Sequence, residues 1–237
     1  MGILDKAIEV DSMSEHFKGL IYGRAGSRKT TWASTAPNPL WIDFERSSDT
    51  LRHIGKGNTK VIRPKSMDDV LEVARELKRS DYKTVVIDTA TRMQLFQISE
   101  FMKQVVKKNE SVDVYLPRWA DYRRTGNQLD ELFMRLHDLE MHVIVLAHEK
   151  QFFDEDSKRL VQILPDLTPR LRDAVSGLLN VVAYVELKQR IGGPKEERGT
   201  DQIMHFVSAN KFFAKNRLNL QTPITNPDFS QVFTEGN

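Results

Sequence analysis

Cysteine is absent from the 237 residues, which excludes disulfides, thiolate metal sites and cysteine nucleophiles and suits a reducing compartment. No apolar run approaches the roughly 18 residues of a membrane span. The opening Met1-Gly-Ile-Leu-Asp-Lys6 carries both charges early, lacks a signal-peptide core and has Lys6 where a myristoylation site wants Ser or Thr. The expectation is a soluble, cytoplasmic protein. Neither sign of charge dominates: the formal net charge is +2 on a background of 29% charged residues, so any nucleic-acid-binding surface has to be local. Internal repeats, low-complexity tracts and domain-separating linkers are also missing. The length suits one sizeable α/β domain over residues 1–237, with a core from about 17 to 220 between a short N-terminal segment and a C-terminal tail.

Short apolar runs are plentiful. Gly19 to Tyr22, Leu40 to Phe44, Lys60 to Ile62, Thr84 to Ile87 and His142 to Ala147 read as buried parallel strands. Between them, Met67, Val70, Leu71, Ala74 and Leu77, and later Leu129, Leu132, Phe133, Leu136 and Leu139, repeat at the three-and-four spacing of a helix face. Strands alternating with helices predict a mostly parallel sheet covered on both faces. After Lys150 the pattern turns β-rich, around Leu160 to Ile163, Val181 to Leu187 and Gln202 to Val207, with polar turns at Asp154 to Ser157 and Gly192 to Gly199. The tail after Leu220, rich in Pro, Asn and Thr, reads as loosely ordered.

The most informative segment is Gly23-Arg24-Ala25-Gly26-Ser27-Arg28-Lys29-Thr30-Thr31, entered from the apolar run Leu20-Ile21-Tyr22. A buried strand that delivers the chain to a glycine-containing turn, followed by a helix, presents backbone N–H groups to phosphate. In the G-x-x-x-x-G-K-[ST] pattern Lys29 reaches the β- and γ-phosphates and the Thr30 hydroxyl coordinates magnesium. Arg28 stands where that pattern has glycine, and a Cβ there narrows the allowed backbone. Its side chain has two options, solvent or added positive charge beside the phosphates.

Four further features point to the same chemistry. The strand Thr84-Val-Val-Ile-Asp88 ends in an acid that would hold magnesium at the carboxyl edge of the sheet, although strand-terminal Asp also serves as a plain cap. Leu40-Trp-Ile-Asp43-Phe-Glu45 delivers carboxylates to that edge from a strand expected beside the P-loop strand, with Glu45 as candidate general base. Val143-Ile-Val-Leu-Ala-His148 ends in a polar residue able to sense the γ-phosphate. Lys215-Asn-Arg217 spaces two cations on one face of a strand, where they either face solvent or reach a neighbouring protomer's γ-phosphate.

Together the P-loop, Ile42-Asp43-Phe44-Glu45, Val85 to Asp88, His148 and Ala214 to Arg217 resemble a RecA-like ATPase core. The chain is similar to the phage nucleotide-binding ATPases associated with recombination and single-strand annealing, also in Ser34-Thr-Ala-Pro-Asn-Pro-Leu-Trp-Ile-Asp43. The resemblance implies a RecA-like P-loop NTPase fold with a β-rich C-terminal extension, ATP and Mg²⁺ as cofactors, and the cytoplasm of a host cell as location. It further implies Glu45 as catalytic glutamate, Asp88 as Walker B acid and metal residue with Thr30, and His148 as sensor. Lys215 and Arg217 then form a finger acting across a homo-oligomeric ring or filament, with single-stranded DNA and a single-strand annealing or single-strand-binding protein as partners. RecA-like proteins contact DNA through loops after the Walker B and sensor strands. These correspond to Lys107 through Arg124, where Lys107, Lys108, Arg118, Trp119, Tyr122, Arg123 and Arg124 mix cations with rings, and to Lys150 through Arg159. The plainer reading has Trp119 and Tyr122 anchoring a helix. Two other functions share a P-loop: a small-molecule kinase, and a nucleotide-responsive binding module without turnover.

Overall fold

A computed structural model describes Gly2 and residues 15–190 and 199–234. In chain order the elements are β1 (Lys18–Gly23), α1 (Lys29–Ala33), β2 (Pro39–Asp43), α2 (Asp49–His53), β3 (Lys60–Ile62), α3 (Met67–Glu76), β4 (Thr84–Asp88), α4 (Ala90–Lys108) and α5 (Trp119–His137). They continue with β5 (His142–Phe153), β6 (Leu160–Pro165), α6 (Pro169–Leu178), β7 (Val181–Gln189), β8 (Thr200–His205), β9 (Lys215–Asn216), β10 (Ile224–Thr225) and α7 (Phe229–Val232).

The strands form one twisted sheet in the order β10-β8-β7-β1-β5-β4-β2-β3, with β6 paired to the outer half of β5 and β9 to β7. From β7 to β3 every neighbour is parallel; β8, β10, β6 and β9 pair antiparallel. This is an α/β architecture, a mostly parallel sheet with helices on both faces and a β-rich C-terminal third. Alternation along the strands splits the core in two. Leu20, Tyr22, Ile42, Val85, Ile87, Val143 and Val145 face α3, α4, α5 and α6, whereas Ile21, Trp41, Val86, Ile144 and Leu146 face α1, α2 and α7.

Local chemistry starts the helices where the apolar spacing places them. At α3 the Ser66 hydroxyl accepts from the Asp69 N–H and the Asp69 carboxylate accepts from the Ser66 N–H, a reciprocal capping box. Pro169 occupies the first turn of α6, where its missing N–H costs nothing. Two lysines close helix C-termini: Lys18 donates to the carbonyls of His137 and Leu139 after α5, and Lys215 to those of Ser176, Gly177 and Leu179 at the end of α6.

Three expectations need correction. β5 does not stop at Ala147 but runs twelve residues to Phe153, because β6 supplies it with a partner beyond the sheet. Residues 119–124 are helical, not loop, so the connection between α4 and α5 is 109–118; Arg118 N donates to the Asp121 carboxylate at 2.7 Å and starts α5 early. The tail after Leu220 is packed, since Phe229, Val232 and Phe233 are buried against Phe17 and Trp32. The polar turn at Gly192 and the first-residue arguments around Lys6 lie outside the described residues.

Phe133, 1% exposed on the inner face of α5, is central to the larger core. Phe133→Ala is expected to cost about 3–5 kcal/mol of stability, measured by urea denaturation.

Candidate functional site

Parallel pairing brings the ends of β1, β2, β4 and β5 to one edge of the sheet, where the connecting loops open a crevice. β1 lies in register with β5 on one side, Gly23 opposite His148, and with β7 on the other, Gly23 opposite Val185. A Cβ on Gly23 would stand 2.2 Å from the Val185 carbonyl oxygen, so this position demands glycine on packing grounds alone. The loop that follows encloses a cavity of about 330 Å³ with Thr30, Glu45, Ser47, Asp88 and His148 on its walls.

Lys29 is 6% exposed, and its ammonium donates to the carbonyls of Gly23 (2.9 Å) and Arg24 (3.0 Å) and to the Ser27 hydroxyl (3.3 Å). Burial pulls its pKa down to about 8, opposed by the carboxylates of Asp88, Glu45 and Glu149. An anion entering the loop would restore the charge that burial penalises. Arg28, the departure from the glycine pattern, adopts φ 63° and ψ 24°, a left-handed conformation costing a residue with a Cβ roughly 1–2 kcal/mol. Its side chain is exposed at the rim of the cavity, and the guanidinium bonds Thr200 of β8.

Asp88, 2% exposed, accepts from the Thr30 hydroxyl at 3.2 Å and the Ser47 hydroxyl at 2.6 Å, both on Oδ2. Burial raises its carboxyl to about 6, against the lowering effect of the Ser47 bond, with Glu45 and Asp43 adding negative charge nearby. A buried carboxylate and two hydroxyls converging on one point form an all-oxygen donor set that fits a hard divalent cation such as magnesium. Sequence reasoning had Thr30 and Asp88 but missed Ser47, whose only signal was its place two residues after Glu45.

Asp43 has a different task. Its carboxylate accepts from the N–H groups of Glu45, Ser47 and Ser48 and pairs with Arg63 at 3.5 Å, while Arg46 at φ 59° reverses the chain. That turn aims Glu45 inward to His148, whose Nε2 lies 2.5 Å from Glu45 Oε1. The histidine bond, more than the opposing burial, holds the Glu45 carboxyl below its usual range. The His148 N–H donates to Thr91 Oγ1, fixing the strand where it leaves the sheet. β2 is not beside the P-loop strand as expected: β5 and β4 intervene, and Glu45 reaches the cavity through its loop.

Lys29, Thr30, Glu45, Asp88 and His148 therefore meet at one cavity, with Ala25 through Thr31 forming one wall. Lys215 and Arg217 do not join them. β9 pairs with the start of β7 and the Arg217 N–H donates to the Asn180 carbonyl, placing both at the opposite sheet edge, roughly 16 Å away by strand rise. Lys215's three protons already serve the end of α6; Arg217 is exposed.

The α4–α5 hairpin carries Lys107, Lys108, Arg118, Trp119, Tyr122, Arg123 and Arg124 near its far end. Trp119 is 76% exposed with Arg123 5.5 Å from its ring centre, so it does not anchor the helix; Arg124 instead covers Phe101. Above His148 the β5–β6 hairpin exposes Phe152 and Phe153, with Lys150 over Phe152.

The raised Asp88 carboxyl sets a sign for pH. A carboxyl favouring its protonated form in the folded state contributes stability that is fully present below about 3.8 and lost as pH rises through about 6. Asp88→Asn is expected to stabilise the magnesium-free protein at pH 7 by about 1–3 kcal/mol, with the gain vanishing near pH 3.5; thermal melts across that range are the check.

The chain aligns with several solved structures. A KaiC-like protein from the hyperthermophilic archaeon Pyrococcus horikoshii aligns over 88% of this chain and 83% of its own, at 13% identity and a TM-score of 0.48. The flagellar accessory protein FlaH from Methanocaldococcus jannaschii aligns over 94% and 90%, at 10% identity and a TM-score of 0.48. No curated protein matches the chain in sequence. Among the described residues no helix is long and apolar enough to cross a membrane. The AAA domain family matches residues 15–218, a span holding the P-loop, the Glu45 turn, Asp88, His148 and the Lys215–Arg217 pair. This chain belongs to the AAA domain family.

Proposed function

We propose that the chain is a magnesium-dependent ATPase that works as a homo-oligomer on single-stranded DNA, in phage-type recombination or annealing. The observation that carries the nucleotide part is the meeting of Lys29, Thr30, Asp88, Glu45 and His148 at one cavity. Lys29 leaves its loop carbonyls to bind the β- and γ-phosphates, and the loop N–H groups hold the remaining oxygens. Thr30 and Asp88 hold magnesium, which when bound offsets the charge developing on the phosphate oxygens. Glu45 orients and deprotonates the attacking water, and His148 steers the Glu45 carboxylate toward or away from that water.

The finger role falls to Arg217, exposed at the far sheet edge and available to a neighbour's site, with Lys215 anchoring the segment on α6. The DNA part is supported by the β5–β6 hairpin, which continues the strand bearing His148 and interleaves Lys150, Lys158 and Arg159 with exposed Phe152 and Phe153. The α4–α5 tip, with Trp119, Tyr122, Lys107, Lys108, Arg118 and Arg123, supplies a second surface of the same composition. Binding of a single-strand annealing or single-strand-binding protein belongs to the same reading. A binding module without turnover is the second reading, favoured by the engagement of Glu45 with His148.

Steady-state ATP hydrolysis with magnesium, with and without single-stranded DNA, tests the proposal. Turnover is expected to rise with DNA and to fall by about 10²–10⁴-fold in Lys29→Ala and in Glu45→Gln, the latter still binding ATP. Mixing Glu45→Gln with Arg217→Ala protomers should restore part of the activity. ATP binding without turnover under all these conditions selects the second reading, and no rescue at any mixing ratio removes the shared site.

A further inference from the structure

The phosphate loop is tied to β8 by two consecutive residues. Arg28 Nη1 donates to the Thr200 carbonyl at 3.1 Å and Nη2 to Thr200 Oγ1 at 2.8 Å. Beside it, Gln202 Nε2 donates to the Ser27 carbonyl at 2.8 Å in a buried bond. The strand receiving these bonds is itself braced: Asp201 accepts from Arg190 at 2.6 Å and from Asn226 at 2.7 Å, and Gln202 N donates to Asn226 Oδ1. From below, the β7 backbone presses on Gly23 so closely that no side chain fits. The loop is thus gripped along one flank by the β7–β8 pair.

Glycine at position 28 would adopt the left-handed backbone freely but could make neither bond to Thr200. We infer that Arg28 is a positioning residue for phosphate binding: its guanidinium, moored on Thr200, holds the 27–29 backbone in its anion-facing arrangement before a nucleotide arrives. Conformational freedom in the P-loop is replaced by a tether to β8. This rests on the nucleotide reading of the cavity. With its guanidinium bonded to Thr200, Arg28 acts through the loop. Its removal therefore weakens binding more than it slows chemistry, since ordering the loop falls on the ligand.

The experiment compares the parent chain with Arg28→Gly, Thr200→Val, the double variant and Arg28→Lys. Two probes are used: magnesium-ADP binding by calorimetry, and amide hydrogen exchange of residues 24–30 without ligand. Arg28→Gly is expected to raise Kd about tenfold and to speed loop exchange by a similar factor. Thr200→Val should do so by a smaller factor, and the double variant should be no weaker than Arg28→Gly. Turnover at saturating ATP should change less than about twofold, placing the effect in KM, and Arg28→Lys should recover part of the loss. Unchanged or tighter binding by Arg28→Gly, or unchanged loop exchange, overturns the inference. If the parent itself binds no magnesium-ADP, the nucleotide reading fails, and the exchange measurement still decides whether Arg28 moors the loop.

Discussion

Three carboxylates and one buried lysine share the carboxyl edge of a parallel sheet, and the surrounding structure is arranged to keep them there without mutual expulsion. Each is handled differently. Asp43 is surrounded by backbone N–H groups and an arginine, which makes it a scaffold for the turn after β2. Glu45, aimed by that turn, is held charged by His148. Asp88, as buried as Asp43, has hydroxyl donors on Oδ2, and burial raises its carboxyl. Burial lowers the Lys29 pKa to about 8, and its own loop receives its protons. Binding of an anion and a divalent cation together would relieve both strains at once, which is why the arrangement reads as a site and not as a structural ion network.

The P-loop sits in a trough between two hairpins rising above the sheet. β5 and β6 rise on one side, carrying His148 at their root and exposed phenylalanines higher up. β7 and β8 rise on the other, joined to the loop through Val185, Thr200 and Gln202. Any movement of the loop toward a ligand is therefore felt by the β7–β8 pair. The coupling runs through hydrogen bonds and a direct backbone approach, so it has the physical continuity that a nucleotide-responsive element requires.

Cations illustrate how a motif and a fold compete for the same residue. Lys18 and Lys215 both end as caps on helix carbonyls, where the helix dipole and unsatisfied oxygens reward a positive charge. Arg28 supports the loop from β8. Trp119, with the composition of an anchor, is instead exposed beneath Arg123.

The sequence by itself determined the parallel core, the P-loop, and the strand-end acids Asp43 and Asp88, because short apolar runs ending in functional residues encode both burial and direction. Helix spacing likewise placed α3 and the body of α5. What only the tertiary structure decided were features set by residues distant in the chain. The strand order separated β2 from β1; β6 prolonged β5; and hydrophobic burial against Phe17 and Trp32 ordered the tail. Ser47 joined Asp88 across 41 residues and Thr200 received Arg28 across 172. Spacing along a chain reports which face of its own element a residue occupies. Which partner waits on that face depends on how the elements pack, and local sequence carries no record of it.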